Sequence, residues 1–185
     1  MKQKFFICKH CGNIVAMIRD KGVPIYCCGE EMQELIPGAT EAIEFAQLSG
    51  KETVLDAYCG IGTISMIVSG HVKEAVGVEI NKASIRNAIS NAKLNGITNC
   101  RYVAEDCTSY MLKAAAQKEQ FDVAFLDPAR EGSTPEFLNA LAGLNPMKIV
   151  YISCNPETQK RDVAILKKKG YQIRHIQPVD MFPHT

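Results

Sequence analysis

The feature that constrains this chain most is a regular alternation of short apolar runs with amphipathic helical patterns after residue 38. The apolar runs lie at residues 53–57, 75–79, 101–103, 121–126 and 148–153, and helical patterns lie between them, for example at residues 82–94 and 156–168. This alternation predicts an α/β fold, in which a parallel sheet carries helices on both faces. Right-handed crossovers then place the loops that follow the strands at one edge of the sheet, where ligands bind.

A glycine turn follows the first of these strands. Gly60 and Gly62 let the backbone turn tightly and approach a ligand closely, and the helix that follows offers free N–H groups. Glu79 ends the second strand about twenty residues further on, where a carboxylate can accept both hydroxyls of a ribose. Asp106, just past the third strand, is placed to accept a hydrogen bond from an adenine amino group. These residues predict a nucleoside-binding site.

The chemistry of the turn favours S-adenosylmethionine over a dinucleotide. Ser65 stands where the dinucleotide fingerprint needs its third glycine, and Asp56 before the turn disfavours a pyrophosphate. A cationic ligand without phosphate fits that charge better. The alternative for Asp56 is a role as a turn former only.

Polar loops also follow the fourth and fifth strands. Asp127 and Arg130 follow the fourth, and Cys154 follows the fifth, just before a helix whose first turn contains Pro156. Because a helix N-terminus favours the thiolate form of a cysteine, Cys154 is predicted to be a nucleophile. The alternatives are a small buried cysteine at Cys154 and a surface ion pair at Arg130. Three further cysteines are expected to be packing residues: Cys59, Cys100 and Cys107.

Residues 39–185 resemble the RNA uracil-5-methyltransferases that act on ribosomal and transfer RNA. The matching stretches lie at residues 56–63, 77–79, 91–96, 153–156 and 178–185. The resemblance implies that the Cys154 thiolate adds to C6 of uracil, so that C5 takes the methyl group, while Asp127 binds the uracil edge and Arg130 positions Cys154 or the RNA. It implies S-adenosylmethionine as the cofactor, bound by Asp56, Tyr58, Gly60, Gly62, Glu79, Asp106 and Asp127.

The sequence departs from this family in four respects. It ends at Thr185, before the glutamate that removes the C5 proton in the family and before the final strand, so residues 171–177 are expected to lack a neighbour in the sheet. The family motif Asp-Pro-Pro-Arg has alanine at its third position here, Ala129. The RNA-binding β-barrel is missing, in agreement with a net charge of +1. We therefore expect a truncated Rossmann-like domain that binds S-adenosylmethionine but turns over poorly or not at all.

Residues 1–38 form a separate segment, which is rich in glycine and cysteine and lacks helical periodicity. Four of the eight cysteines lie here, and four thiolates in so short a segment predict a tetrahedral metal site: Cys8, Cys11, Cys27 and Cys28. The segment resembles the desulforedoxin-type domain of desulfoferrodoxins. That resemblance implies one iron held by these cysteines; zinc and free thiols are the alternatives.

Three roles stay open for this metal module: a structural role, electron transfer, and formation of a homodimer. The four histidines of the whole chain lack the pattern of a superoxide-reducing iron site, so that activity is not expected. The alternative to an RNA methyltransferase is a non-catalytic iron- or zinc-binding electron-transfer protein. No apolar run is long enough to cross a bilayer, and we expect a cytoplasmic protein with reduced thiols.

Overall fold

A computed structural model describes residues 4–7, 14–17, 26–31, 33–35 and 45–178. The chain divides into two units, Met1–Glu41 and Ala42–Thr185, whereas the sequence predicts a boundary between residues 38 and 39. The predicted metal ligands Cys8 and Cys11, the side chain of Cys27 and the family-like residues 179–185 lie outside the described residues.

The described residues of the first unit form short antiparallel strands. They are β1 (Lys4–Ile7), β2 (Ile14–Met17), β3 (Tyr26–Cys27), β4 (Glu30–Glu31) and β5 (Gln33–Leu35). β1 pairs with β2 on one side and with β5 on the other. β3 and β4 form a hairpin around Cys28 and Gly29, whose φ angles of 52° and 81° are both positive. This is the backbone geometry of a type I′ hairpin turn.

The second unit alternates strands and helices, as predicted. Its strands are β6 (Thr53–Ala57), β7 (Glu74–Glu79), β8 (Cys100–Ala104), β9 (Val123–Leu126) and β10 (Lys148–Tyr151). Its helices are α1 (Thr63–Val68), α2 (Lys82–Leu94), α3 (Cys107–Gln117), α4 (Pro135–Leu144) and α5 (Pro156–Lys168). In the part of the chain that the structure describes, no helix is long and apolar enough to span a membrane.

The strands of the second unit form one parallel sheet in the order β10–β9–β6–β7–β8. The chain runs outward from β6 to β8 and then returns to the other side of β6, so strand order reverses between β6 and β9. The central strands are buried on both faces, which explains their continuous apolar runs. The predicted Rossmann-like α/β fold is confirmed.

The helices cover both faces of this sheet. Apolar residues recur at helical spacing on the buried sides, for example Ile85, Ala88 and Ala92 in α2. α4 packs against both α3 and α5, so these helices share one face, and right-handed crossovers place α1 and α2 on the other. The core between the sheet and α3–α5 includes Phe137 and Leu141.

β10 lies at an edge of the sheet, and residues 171–178 form no strand beside it. The Tyr171 hydroxyl donates instead to the carbonyl of Pro146 at 2.9 Å. The ring of His175 stacks on Phe45 with a centroid separation of 3.9 Å. Among the described residues, this segment therefore contacts the rest of the unit through side chains and not through strand pairing.

Candidate active site

The loops that follow the strands of the second unit meet at one edge of its sheet. Ala57 at the end of β6 lies in register with Val78 of β7 and with Leu126 of β9, which in turn pairs with Tyr151 of β10. Because all of these strands are parallel, the residues just past their ends lie on the same side. The predicted site residues follow these ends: Tyr58, Gly60, Gly62, Glu79, Asp106, Asp127, Arg130 and Cys154.

The glycine turn and the carboxylate of the next strand lie together. Gly60 and Gly62 have φ angles of 53° and 81°, so both use the left-handed conformation that glycine adopts without strain. The Gly60 N–H donates to Glu79 Oε2 at 3.3 Å, and the Asn81 N–H donates to Glu79 Oε1 at 2.8 Å. A Cβ at Gly60 would meet open space. The loop therefore presents bare backbone beside a half-buried carboxylate.

Asp56 lies beneath this turn. Its side chain is completely buried, and its Oδ2 accepts hydrogen bonds from both the backbone N–H and the hydroxyl of Ser65. Its Oδ1 has no hydrogen-bond partner among the described residues, and burial raises its pKa to about 6. The Asp56 carboxyl group thus holds the loop from below through Ser65, and its predicted contact with the cofactor stays a prediction.

Tyr58 connects the glycine turn to another loop. Its φ of 64° turns the chain sharply, and its ring packs against Phe137 with a centroid separation of 5.4 Å. Its hydroxyl donates to Ser133 Oγ at 3.2 Å, and burial raises its pKa to about 12. The hydroxyl of Tyr58 is therefore bonded to the segment that follows β9.

Two further acidic residues lie exposed at this edge. Asp106 is the N-cap of α3, where its Oδ2 accepts from the Ser109 N–H at 2.8 Å. Asp127 follows β9, where its N–H donates to the Ala57 carbonyl at 3.4 Å and desolvation raises the pKa of its carboxyl group. Both therefore stand where a bound molecule can reach them.

Cys154 is exposed in the loop between β10 and α5. Asn155 caps that helix by accepting from the Glu157 N–H at 3.1 Å, and Ser153 Oγ accepts from the Asn155 N–H at 3.0 Å. The thiol thus stands before a capped helix start, as predicted, and the buried alternative does not hold. In contrast, Cys59 and Cys107 are buried in the fold.

The loop that carries Arg130 is tied to this helix. Asn155 Nδ2 and Thr158 Oγ1 both donate to the Arg130 carbonyl oxygen, each at 3.0 Å. The Arg130 side chain is exposed. The structure therefore joins the backbone of Arg130 to the residue after Cys154.

Two features of the site were missed from the sequence. Ile80 follows Glu79 directly and is 68% exposed, which leaves an apolar side chain beside the carboxylate. Asp162 on α5 is completely buried and lies one turn before buried Leu166. The sequence did carry a signal for Asp162, because it is a charged residue on the apolar side of a helix. A buried carboxylate without partners is costly, so its position there indicates hydrogen-bond partners in the fold.

Comparison with known families identifies this arrangement. The profile that describes tRNA (uracil-5-)-methyltransferases matches residues 39–185. The chain belongs to the tRNA (uracil-5-)-methyltransferase family. The desulforedoxin likeness of residues 1–38 is not shown by any of these matches.

Uncharacterized RNA methyltransferases of other bacteria resemble most of this chain. An uncharacterized RNA methyltransferase of Lactobacillus johnsonii is 49% identical over 144 residues, which is 78% of this chain and 32% of that protein. One from Staphylococcus aureus is 46% identical over 145 residues, with the same coverage of 78% and 32%. The chain thus spans about a third of the length of these relatives.

Solved structures agree with the assignment. The Pyrococcus abyssi tRNA (uracil-54, C5)-methyltransferase in complex with S-adenosyl-L-homocysteine has a TM-score of 0.68 and 31% identity, covering 80% of this chain and 36% of that one. A precorrin 8w decarboxylase of Methanobacterium thermoautotrophicum has a TM-score of 0.65 at 18% identity, covering 84% of this chain and 78% of that one. The second likeness concerns the fold alone.

Proposed function

We propose that this protein transfers a methyl group from S-adenosylmethionine to C5 of uridine in ribosomal or transfer RNA through Cys154. The observation that carries the proposal is an exposed thiol at the same sheet edge as the glycine turn and Glu79. We call residues 152–155, which contain Cys154, the thiol loop, and residues 58–62 the glycine loop. The two loops follow β10 and β6, which are separated by one strand, so they lie about 10 Å apart. That spacing suits a flat base held between them.

The residues of this edge fit S-adenosylmethionine, which supplies its methyl group from a sulfonium. The Gly60–Gly62 backbone leaves open space for close approach, and Glu79 offers carboxylate oxygens to the ribose hydroxyls. Ile80 offers an apolar surface to the adenine ring, and Asp106 offers an acceptor to its amino group. The absence of a cationic side chain from this set suits a cationic ligand better than a pyrophosphate.

Cys154 supplies the nucleophile that the uracil ring needs. Its thiolate adds to C6, which makes C5 nucleophilic enough to take the methyl group. Loss of the C5 proton to a base then restores the double bond and expels the thiolate. Asp127 accepts a hydrogen bond from the uracil edge, and Arg130 holds the RNA or the thiol in place.

Trapping with RNA that contains 5-fluorouridine tests this proposal. Fluorine at C5 cannot leave as a proton does, so the bond between Cys154 and C6 persists. We expect a covalent protein–RNA adduct that depends on S-adenosylmethionine and is absent in Cys154→Ala. Radiolabelled methyl transfer to unmodified tRNA or ribosomal RNA gives the parallel measurement.

Cys100→Ala is the matched control, because it removes a half-buried thiol from β8, away from Cys154. It should leave adduct formation intact. An adduct that persists in Cys154→Ala would refute the nucleophile. Absence of S-adenosylhomocysteine binding by calorimetry would refute the cofactor site.

For the first unit we propose a desulforedoxin-like metal module with iron, or zinc, held by Cys8, Cys11, Cys27 and Cys28. Four thiolates are a donor set that suits either metal. Two of these cysteines, Cys27 and Cys28, are adjacent in the hairpin formed by β3 and β4. Residues outside the described part of the chain complete the set. We place the protein in the cytoplasm, where such thiols stay reduced.

Metal analysis of the purified protein tests this module. We expect about one metal per chain, as tetrahedral thiolate sites hold one ion. The absorption bands of an iron–thiolate centre would identify iron. A colourless protein with equimolar zinc would identify zinc. Cys28→Ser should lower the metal content, whereas a wild-type protein free of metal would refute the proposal.

A further inference from the structure

Asp162 is a fully buried charged residue that the proposed chemistry does not use. Its Oδ2 accepts from the Ser133 N–H and from the Tyr151 hydroxyl, each at 2.7 Å. Its Oδ1 accepts from Arg161 Nε at 2.8 Å. A buried carboxylate is tolerated only when such partners satisfy it, and a satisfied network is rigid.

These bonds draw the loop after β9 onto α5. Arg161 Nη2 donates to the carbonyls of Glu131 at 2.8 Å and Ser133 at 3.1 Å. Gly132 has a φ of 77°, and a Cβ there would lie 2.5 Å from Asp162 Oδ2. Only glycine lets the loop approach the carboxylate this closely.

The same carboxylate is connected to both halves of the site. In one direction, Ser133 Oγ accepts from the Tyr58 hydroxyl at 3.2 Å, and Tyr58 begins the glycine loop. In the other direction, Tyr151 ends β10, shortly before Cys154. One side chain thus links segments that the chain separates widely.

We propose that Asp162 is a positioning residue that holds the glycine loop, through Ser133 and Tyr58, in a set arrangement with the thiol loop, through Tyr151. The inference rests on the proposed function, because it concerns the donor and the nucleophile of that reaction. The inference adds a residue that contacts neither the methyl donor nor Cys154.

Asp162→Asn is the first test. The amide keeps the size of the side chain, but its NH2 group must face a donor, either Arg161 or the pair Ser133 and Tyr151. We expect affinity for S-adenosylhomocysteine, measured by calorimetry, to fall about fivefold or more. We also expect the rate of Cys154 alkylation by iodoacetamide, measured by peptide mass spectrometry, to change about threefold or more.

Two milder variants test the contact with Tyr58 and the contact with Tyr151 separately. Both can be measured even if Asp162→Asn fails to fold. Ser133→Ala keeps the N–H that binds Asp162 but removes the acceptor for Tyr58, so S-adenosylhomocysteine affinity should fall with Cys154 alkylation unchanged. Tyr151→Phe removes one donor to Asp162 near Cys154, so alkylation should change with little effect on affinity. A residue that only stabilised the fold would lower the melting temperature and leave both native-state measurements unchanged.

Tyr171→Phe is the matched control, since it removes a hydroxyl bonded to the Pro146 carbonyl outside this network. It should alter neither measurement. Unchanged affinity and alkylation in folded Asp162→Asn, or in both milder variants, would overturn the proposal. If the wild-type protein binds no S-adenosylhomocysteine, the proposed function fails, and Cys154 alkylation in Asp162→Asn and Tyr151→Phe still decides the positioning role.

Discussion

Gly60 and Gly62 share a left-handed backbone but differ in what surrounds them. A Cβ at Gly60 would meet nothing within 4 Å, whereas at Gly62 it would lie 2.7 Å from the Tyr102 ring. We expect Gly60→Ala to lower the free energy of unfolding by about 1 kcal/mol, through backbone strain alone. Gly62→Ala should cost about 1–3 kcal/mol more, because the ring must shift.

Urea denaturation of the two glycine variants measures this difference. Gly60→Ala serves as the control, since it carries the same backbone strain without the contact with Tyr102. Adding Tyr102→Leu to Gly62→Ala should recover part of the lost stability. Equal destabilisation by both single substitutions would contradict the packing argument.

Asp56 gives the fold a specific dependence on pH. Burial raises its pKa from 3.8 to about 6, so the folded state holds its proton more tightly than the unfolded chain does. Its contribution to stability is complete below the unfolded pKa of 3.8 and is lost as pH rises through the folded value of about 6. A shift of this size corresponds to about 3 kcal/mol.

Asp56→Asn removes this titration and should keep an acceptor for the Ser65 N–H. The unfolding free energy of the wild type minus that of the variant should therefore fall by about 2 kcal/mol between pH 4 and pH 7. Denaturation curves over that range measure it. A difference that stays constant with pH would show that folding does not shift the pKa of Asp56.

At the scale of elements, the start of α5 serves both the helix and the site. Asn155 accepts from the Glu157 N–H and donates to the Arg130 carbonyl. Asn155→Ala should cost about 0.5–2 kcal/mol of stability as a lost cap and should also change the rate of Cys154 alkylation. Asn81→Ala at the start of α2 is the matched control, because it loses a cap of the same kind.

The two cap variants should therefore resemble each other in thermal stability and differ in thiol reactivity. Cys154 alkylation should stay at the wild-type rate in Asn81→Ala. Equal alkylation rates in both variants would mean that the Asn155 side chain does not shape the surroundings of the thiol.

At the scale of the whole molecule, we expect the two units to draw on different sources of stability. The buried core of Ala42–Thr185 includes Leu55, Phe125 and Phe137. The described part of the first unit consists of short strands, for which the proposed metal would supply much of the folding energy. We expect a strong chelator to melt the first unit and to leave S-adenosylhomocysteine binding unchanged.

Circular dichroism and calorimetry on the same chelated sample test this expectation, with added zinc as the reversal control. A fall in S-adenosylhomocysteine affinity on chelation would show that the metal module supports the methyltransferase unit. No spectral change on chelation would count against a metal-dependent first unit.

Local sequence patterns were enough to predict the helices and the parallel sheet of the second unit. The helices at 82–94 and 156–168 have the bounds that the sequence predicts, because apolar spacing and the capping residues Asn81 and Asn155 act over a few neighbouring residues. The parallel direction of the strands follows from alternation, which also brings Glu79 and Cys154 to one edge. These features depend on the chain nearby and on general rules of handedness.

Only the folded arrangement decides where buried polar groups find their partners. Asp56 accepts from Ser65 beneath the turn, Tyr58 donates to Ser133, and Asp162 connects two loops. No periodicity foretells these pairs, since each is selected by the need to satisfy a buried polar group with whatever donor packing brings near. Local sequence therefore determined which residues lie at this edge of the sheet, whereas tertiary packing decided the network that holds them.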